Sequence, residues 1–300
     1  MAKVRKSDLA NAECGIAQAL GVLHDRWTFL ILRDIAGGAT RFDALQRGLG
    51  VSRRVLTERL ATLVEHDVLR RRFYSRHPPR ADYLLTPKGE ALLPILIALQ
   101  DWGTRHVTGD GSLTATAEPA SAEARRVRHL VGRRLPDVLL TRHDGRPERL
   151  HTPDSWLVLF FFPGAFAPGD QGPPPGWDEI PGARGCTVES TTYAASHADL
   201  AAAGARVYGV STQAPEQLTA FVAHARLPFP LLSDQHGRLA AGLLLPTFRA
   251  GGVDRFKRLS LLVDANAVVR SVQFPIRDPA GSVAEMLDLV RQMSKAGVGK

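Results

Sequence analysis

"SRRVLTERLATLVEHDVLRRRFYSRHPPRADYLLT" (Ser52–Thr86) decides the fold of the first part of the chain. It opens with a serine fit to cap a helix. Val55, Leu56, Leu60, Leu63 and Val64 then recur at helical spacing and define one apolar face. Beyond it two strand-like runs, Leu69–Tyr74 and Ala81–Leu85, flank a loop holding Pro78 and Pro79, which predicts a β-hairpin. Immediately upstream, "TRFDALQRGLG" (Thr40–Gly50) reads as a short helix stopped by glycine. Short helix, tight turn, second helix and hairpin wing is the layout of a winged helix-turn-helix.

Charge supports that layout. The 300-residue chain carries a formal net charge of +8, and residues 41–80 hold ten arginines against four acids. Most of the excess therefore falls on one short segment, the footprint expected of a nucleic-acid contact. A solvated basic face is the bland alternative. The candidate DNA-binding residues are Arg41, Ser52, Arg53, Arg54, Thr57 and Arg59 around the two helices, with Arg71, Arg72, Arg76 and Arg80 on the wing. A recognition helix in the major groove and a wing on phosphates or the adjacent minor groove is the expected docking.

Further outward, Ile16, Leu20, Leu23, Trp27, Leu30, Ile31 and Ile35 give helical periodicity up to Gly37-Gly38. After the wing, "GEALLPILIALQDWG" (Gly89–Gly103) is too apolar for a lone surface helix and carries Pro94 inside, which suggests a dimer contact. Residues 103–124 lack apolar periodicity and read as a linker, with a helix start near Ser121.

These segments, among them "AQALGVLHDRWTFLILRDI" (Ala17–Ile35), "VSRRVLTERL" (Val51–Leu60) and "PPRADYLLTPKGEAL" (Pro78–Leu92), resemble the HxlR family of winged helix-turn-helix repressors over residues 11–105. The resemblance implies a homodimer on a palindromic operator of double-stranded DNA. It also implies a cysteine near the N-terminus that in some members senses oxidants or electrophiles, and Cys14 stands there. Read from its surroundings alone, a cysteine on an apolar helix is more often a small core residue.

From Leu135 the period changes. "PDVLLTRHDGRPERLH" reads as a hairpin turning at Asp144-Gly145, "SWLVLFFFPGAF" as a buried strand, Cys186–Ala203 as a helix, and "ARVYGVS" as a second buried strand. A further helix, a short strand, the hairpin "KRLSLLVDANAVVRSVQF" and a closing helix follow, so βαβ alternation predicts a sheet with parallel strands. "LPTFRAGGVDRF" (Leu245–Phe256) reads as a loop beside the cysteine. The expected organisation is multidomain: a mainly α winged helix-turn-helix over 1–105, a linker over 106–128 and an α/β thioredoxin-like domain over 129–300.

Cys186 and Cys14 are the only cysteines, too few for a disulfide framework or a zinc site, and the ten histidines lack metal-ligand spacing. No metal or cofactor is expected. A thiol in the first turn of a helix faces unsatisfied N–H groups and the positive end of the helix dipole, which favour the thiolate. "FFFPGAFAPG", "GCTVES", "LPFPLLSD" and "KRLSLLVD", in that order, resemble the peroxiredoxin (AhpC/TSA) family of the thioredoxin fold over about residues 130–294. The resemblance implies that Cys186 is the peroxide-reactive cysteine and that Arg258 steadies its thiolate. Relatives read P-x-x-x-T-x-x-C; here Pro163 and Pro168 are far upstream and position 183 is alanine, so Thr187 becomes the candidate hydroxyl. A resolving cysteine five residues on is replaced by Thr191.

The expected function is a redox-responsive DNA-binding transcriptional regulator whose partners are DNA, peroxide and a thiol reductant. The alternatives are a thiol-dependent peroxidase fused to a DNA-binding domain and a catalytically silent thioredoxin-fold docking module. No apolar run reaches the ~18 residues of a membrane span, and the basic N-terminus shows no secretory signal, so a cytoplasmic protein is expected.

Overall fold

The computed structural model describes residues 13–23, 25–150, 155–169 and 172–297. The basic N-terminal segment read for targeting lies outside them. The chain divides into two compact units, Met1–Leu96 and Ile97–Lys300.

The first unit holds α1 (Gly15–Leu23), α2 (Arg26–Ala36), α3 (Phe42–Leu49), α4 (Arg53–Glu65), a hairpin of β1 (Leu69–Arg76) and β2 (Pro79–Leu85), and the short α5 (Pro87–Glu90). α3 stops at Gly50, whose φ of 62° is left-handed. α4 starts at Ser52, whose side chain accepts from the Val55 N–H. Leu56, Leu60 and Leu63 of α4 pack with Ile31, Leu32, Ile35 and Leu45 into one core. The helix order and hairpin wing follow the sequence reading, and the strands run a few residues longer into the wing tip.

α6 (Leu93–His106) differs from its prediction. The helix is interrupted at Ala91–Leu92, so Pro94 is its second residue. In a first turn the missing proline N–H has no helical acceptor to lose, and nothing is broken. α6 continues past Gly103 and exposes Ile95, Leu99 and Trp102.

In the second unit β5 (Trp156–Phe161), β6 (Ala205–Ser211) and β7 (Leu231–Ser233) run parallel at the centre of a seven-stranded sheet. On one side lie β10 (Leu259–Val263), antiparallel to β5, and β11 (Val269–Gln273); on the other lie β3 (Leu139–Arg142) and β4 (Pro147–Arg149). Phe160, Phe161 and Phe162 have no solvent exposure, as a central strand requires. The helices are α7 (Ala122–Arg128), α8 (Cys186–Ala195), α9 (His197–Ala202), α10 (Pro215–Ala225), α11 (Arg238–Leu243) and α12 (Gly281–Gly297). The single helix expected over 186–203 is interrupted at Ser196.

Two readings change. Residues 245–256 form a hairpin, β8 (Thr247–Ala250) with β9 (Val253–Phe256), rather than a loop. Gly251 and Gly252 supply two positive-φ turn positions, and Phe248 and Phe256 are buried. The stretch read as a linker is packed into the second unit: Ala115 has no exposure, and α7 buries Ala124 and Val127. Its small residues hid that burial, because alanine and threonine carry little pattern. No helix among the described residues is long and apolar enough to cross a membrane.

Candidate thiol site and nucleic-acid interface

Cys186 is the first residue of α8 and only 4% exposed. Gly185 before it has a φ of 102°, and a Cβ there would lie 2.7 Å from Pro279. Only glycine fits both the dihedral and the approach. The Cys186 Sγ lies 3.6 Å from the Ala183 carbonyl oxygen and accepts from Arg258 Nη2 at 3.3 Å. Arg258 also donates to the Arg184 carbonyl at 2.9 Å and to Glu189.

This cluster is buried, with Arg258 2% and Glu189 0% exposed. Burial opposes the charge of Arg258, but Cys186 and Glu189 outweigh it and hold the guanidinium firmly protonated. Burial pushes the Glu189 carboxyl up to about 7, against the opposing charge and hydrogen bond of Arg258. Among the described residues Glu189 Oε1 has no hydrogen-bond partner. The arrangement is an anchored cation aimed at a thiol, with a buried carboxyl behind it.

A cavity of about 210 Å³ opens beside the sulfur, lined among others by Phe166, Trp177, Arg184, Thr187 and Val188. Thr187, the candidate hydroxyl, is exposed and on the cavity wall; Ala183 is fully buried and offers only its carbonyl. Two residues that the sequence reading missed shape the approach. Gln213 clamps Ala165, accepting from its N–H at 2.8 Å and donating to its carbonyl at 2.9 Å. Arg255, on β9, donates to Pro163 and Ala250 carbonyls, both at 3.2 Å, with its guanidinium 5.1 Å from the Trp177 ring. Burial lowers its pKa, while the charge of Cys186 acts the other way. Reading residues 245–256 as a Gly-Gly hairpin would have exposed Arg255 as a fixed residue.

In the first unit, Arg53, Arg54 and Thr57 are exposed on the early turns of α4 behind the Ser52 cap. Arg53 lies over the Phe42 ring at 4.9 Å, Arg54 pairs with Glu58 at 2.9 Å, and the Thr57 hydroxyl donates to the Arg53 carbonyl. Arg59 instead turns toward the protein and pairs with Asp25 at 2.8 Å. Asp25 caps α2, accepting from the Trp27 and Thr28 N–H groups. On the wing Arg71, Arg72, Arg76 and Arg80 are all exposed, and Arg72 and the likewise exposed Arg41 also reach Asp82, at 3.1 and 3.6 Å. Burial would raise the Asp82 pKa, but hydrogen bonds from Arg72 and Thr40 and the two arginine charges hold it below its ordinary value. Cys14 is exposed just before α1.

Residues 22–110 match the family model described as HxlR-like helix-turn-helix, and residues 180–272 match the AhpC/TSA family. The second match contains both Cys186 and Arg258. An uncharacterized HTH-type transcriptional regulator of Mycobacterium tuberculosis, Rv3095, is 39% identical over 103 residues, which cover 34% of this chain and 65% of that protein. YvaP of Bacillus subtilis, also an uncharacterized HTH-type regulator, is 37% identical over 91 residues, 30% of this chain and 84% of its own. The chain thus spans less than two thirds of the mycobacterial relative but most of the Bacillus one. Among solved structures, peroxidoxin BcpB from Mycobacterium tuberculosis is 25% identical, covering 54% of this chain and 97% of its own with a TM-score of 0.46. Enterococcus faecalis AhpC is 20% identical over 56% of this chain and 96% of its own, with a TM-score of 0.43.

Proposed function

This chain belongs to the HxlR-like helix-turn-helix family and carries an AhpC/TSA-like domain behind it, and from that premise we propose that it is a DNA-binding regulator whose response is set by the redox state of Cys186. The observation that carries the redox half is the buried contact of Arg258 Nη2 with Cys186 Sγ at 3.3 Å, in the first turn of a helix. A fixed guanidinium stabilises the thiolate, the form that acts as nucleophile. In the reaction the thiolate attacks a peroxide oxygen, an S–O bond forms as the O–O bond breaks, and water or alcohol leaves. Arg258 orients the sulfur and faces the developing negative charge; Gln213 and Arg255 hold the loop that bounds the cavity.

The DNA-binding half rests on the helix pair and the exposed arginines of α4 and the wing. Arg53, Arg54 and Thr57 are the residues proposed to reach bases, with Arg71, Arg76 and Arg80 on phosphates. Arg59 is assigned to holding α2 against α4, and Arg41 and Arg72 to fixing the wing through Asp82. The exposed Ile95, Leu99 and Trp102 at helical spacing on α6 support a homodimer on a palindromic operator. Reduction of an oxidised Cys186 falls to a small thiol, another protein or Cys14, since the AhpC/TSA-like domain has no second cysteine.

Peptide mapping after about one equivalent of hydrogen peroxide tests the redox half. Sulfenic acid or a disulfide at Cys186 is expected; a fully reduced Cys186 leaves a DNA-binding protein without this signal.

A further inference from the structure

The segment that reads as a linker touches both halves of the thiol site. Ala115, fully buried, donates its N–H to the Pro181 carbonyl at 2.8 Å, on the loop that leads into Cys186. Ala115 packs with Ala183, Trp177, Phe248 and Ala250 in one small core. The fit is close: a Cβ on Gly182 would lie 2.9 Å from the Thr116 Cβ. Further along, Glu123 accepts from Lys257 Nζ at 2.8 Å, with the two side chains 4% and 7% exposed. Lys257 immediately precedes Arg258. A buried ion pair ties its partners together, because loss of one strands the charge of the other.

We infer that residues 113–123 are a positioning element of the thiol site: Ala115 holds the loop before Cys186, and Glu123, through Lys257, holds the backbone at Arg258. The inference rests on Cys186 being the reactive thiol. Its consequence follows from linkage. If docking of this segment favours the geometry in which Arg258 faces the sulfur, a change at the sulfur that disturbs that geometry weakens docking by the same factor. Oxidation by a peroxide is such a change. The sulfur loses two electrons and gains an oxygen, the peroxide is reduced, and the departing oxygen takes up a proton as water or alcohol. The added oxygen lies on a sulfur whose neighbours are the Ala183 carbonyl at 3.6 Å and Arg258 at 3.3 Å. The segment from 113 follows α6 closely in the chain, so a change in its docking arises next to the helix proposed for the dimer.

Amide hydrogen exchange of the full chain, reduced and after one equivalent of hydrogen peroxide, tests the inference, with the Cys186 peptide mass read in the same samples. Oxidation is expected to speed exchange at Ala115 by about tenfold or more while β5 stays unchanged. Oxidised Cys186 with unaltered exchange at Ala115 overturns the inference and leaves the reactive thiol standing; a Cys186 that stays reduced overturns both. In a second arm, Glu123→Gln is expected to slow alkylation of Cys186, and Glu123→Asp, which keeps the negative charge between Lys257 and Arg126, to retain most of the natural rate. Equal alkylation rates in all three proteins would reduce the pair to scaffolding and contradict the positioning role.

Discussion

Arg258 and Cys186, separated by 72 residues in sequence, meet at 3.3 Å in the interior of the second unit. One enters from β10's leading edge and the other from the first turn of α8. Glu189, one helical turn beyond Cys186, holds the far side of the same guanidinium. The thiol, the cation and the carboxyl therefore form one buried charge group.

Replacing Arg258 removes the cation from that group. Arg258→Ala is expected to lower the rate of Cys186 oxidation by hydrogen peroxide about a hundredfold, within the range seen when a fixed stabilising donor is lost. Because Glu189 loses its partner and stays buried as a protonated carboxyl, a loss of stability of about 1–3 kcal/mol should accompany it. Arg258→Met with Glu189→Gln removes both charges and separates the effects: stability should largely return and reactivity should not. Competition kinetics and thermal unfolding are the readouts.

Glu189 sets a pH dependence. Its folded pKa is raised from 4.5 to about 7, so the folded state binds the proton more tightly than the unfolded one. Stability from this group is full below about 4.5, falls as pH rises, and has gone by about 7, with a span of at most about 3 kcal/mol. Denaturant unfolding across pH 4.5–7.5 should therefore show a steeper decline for the natural chain than for Glu189→Gln. Parallel curves would remove Glu189 as the titrating group.

The arginines of the first unit divide by their contacts. Arg59→Ala should destabilise the unit by about 1–3 kcal/mol, since it frees the carboxylate that caps α2, and lose DNA affinity only as far as it unfolds. Arg53→Ala should leave stability within about 0.5 kcal/mol and relax sequence preference. Melting curves beside binding to selected and scrambled duplexes distinguish the two. An Arg53 variant that keeps full preference would contradict the recognition-helix assignment.

On the wing, Arg71→Ala should weaken binding to all duplexes alike and reduce the slope of log affinity against log salt by about 1. Asp82→Asn acts indirectly, by releasing Arg41 and Arg72 together. Salt titrations of both variants should show a clean slope change for Arg71 and a change in wing order for Asp82.

The parts legible in the sequence were those carried by periodicity and caps. Ser52, Gly50 and the apolar face of α4 point to the helix pair, and the phenylalanine run to the central strand. Cys186 was legible from its place at a helix start, but Arg258 only through the resemblance, because a contact across 72 residues leaves no local pattern. The segment 106–128 was opaque: Ala115 packs through a backbone N–H and a methyl group, and neither advertises burial. Arg255 was hidden by a hairpin whose two glycines read as looseness. Arg59 looked like its neighbours Arg53 and Arg54, and only the partner at Asp25 separates them.

The most direct measurement is the affinity of the full chain for a duplex selected from a random-sequence pool, reduced and after one equivalent of hydrogen peroxide, beside Cys186→Ser. The account predicts at least about a tenfold change on oxidation, the size of a typical coupling between two sites, and none in Cys186→Ser. Equal affinities for a natural chain whose Cys186 is fully oxidised would contradict it.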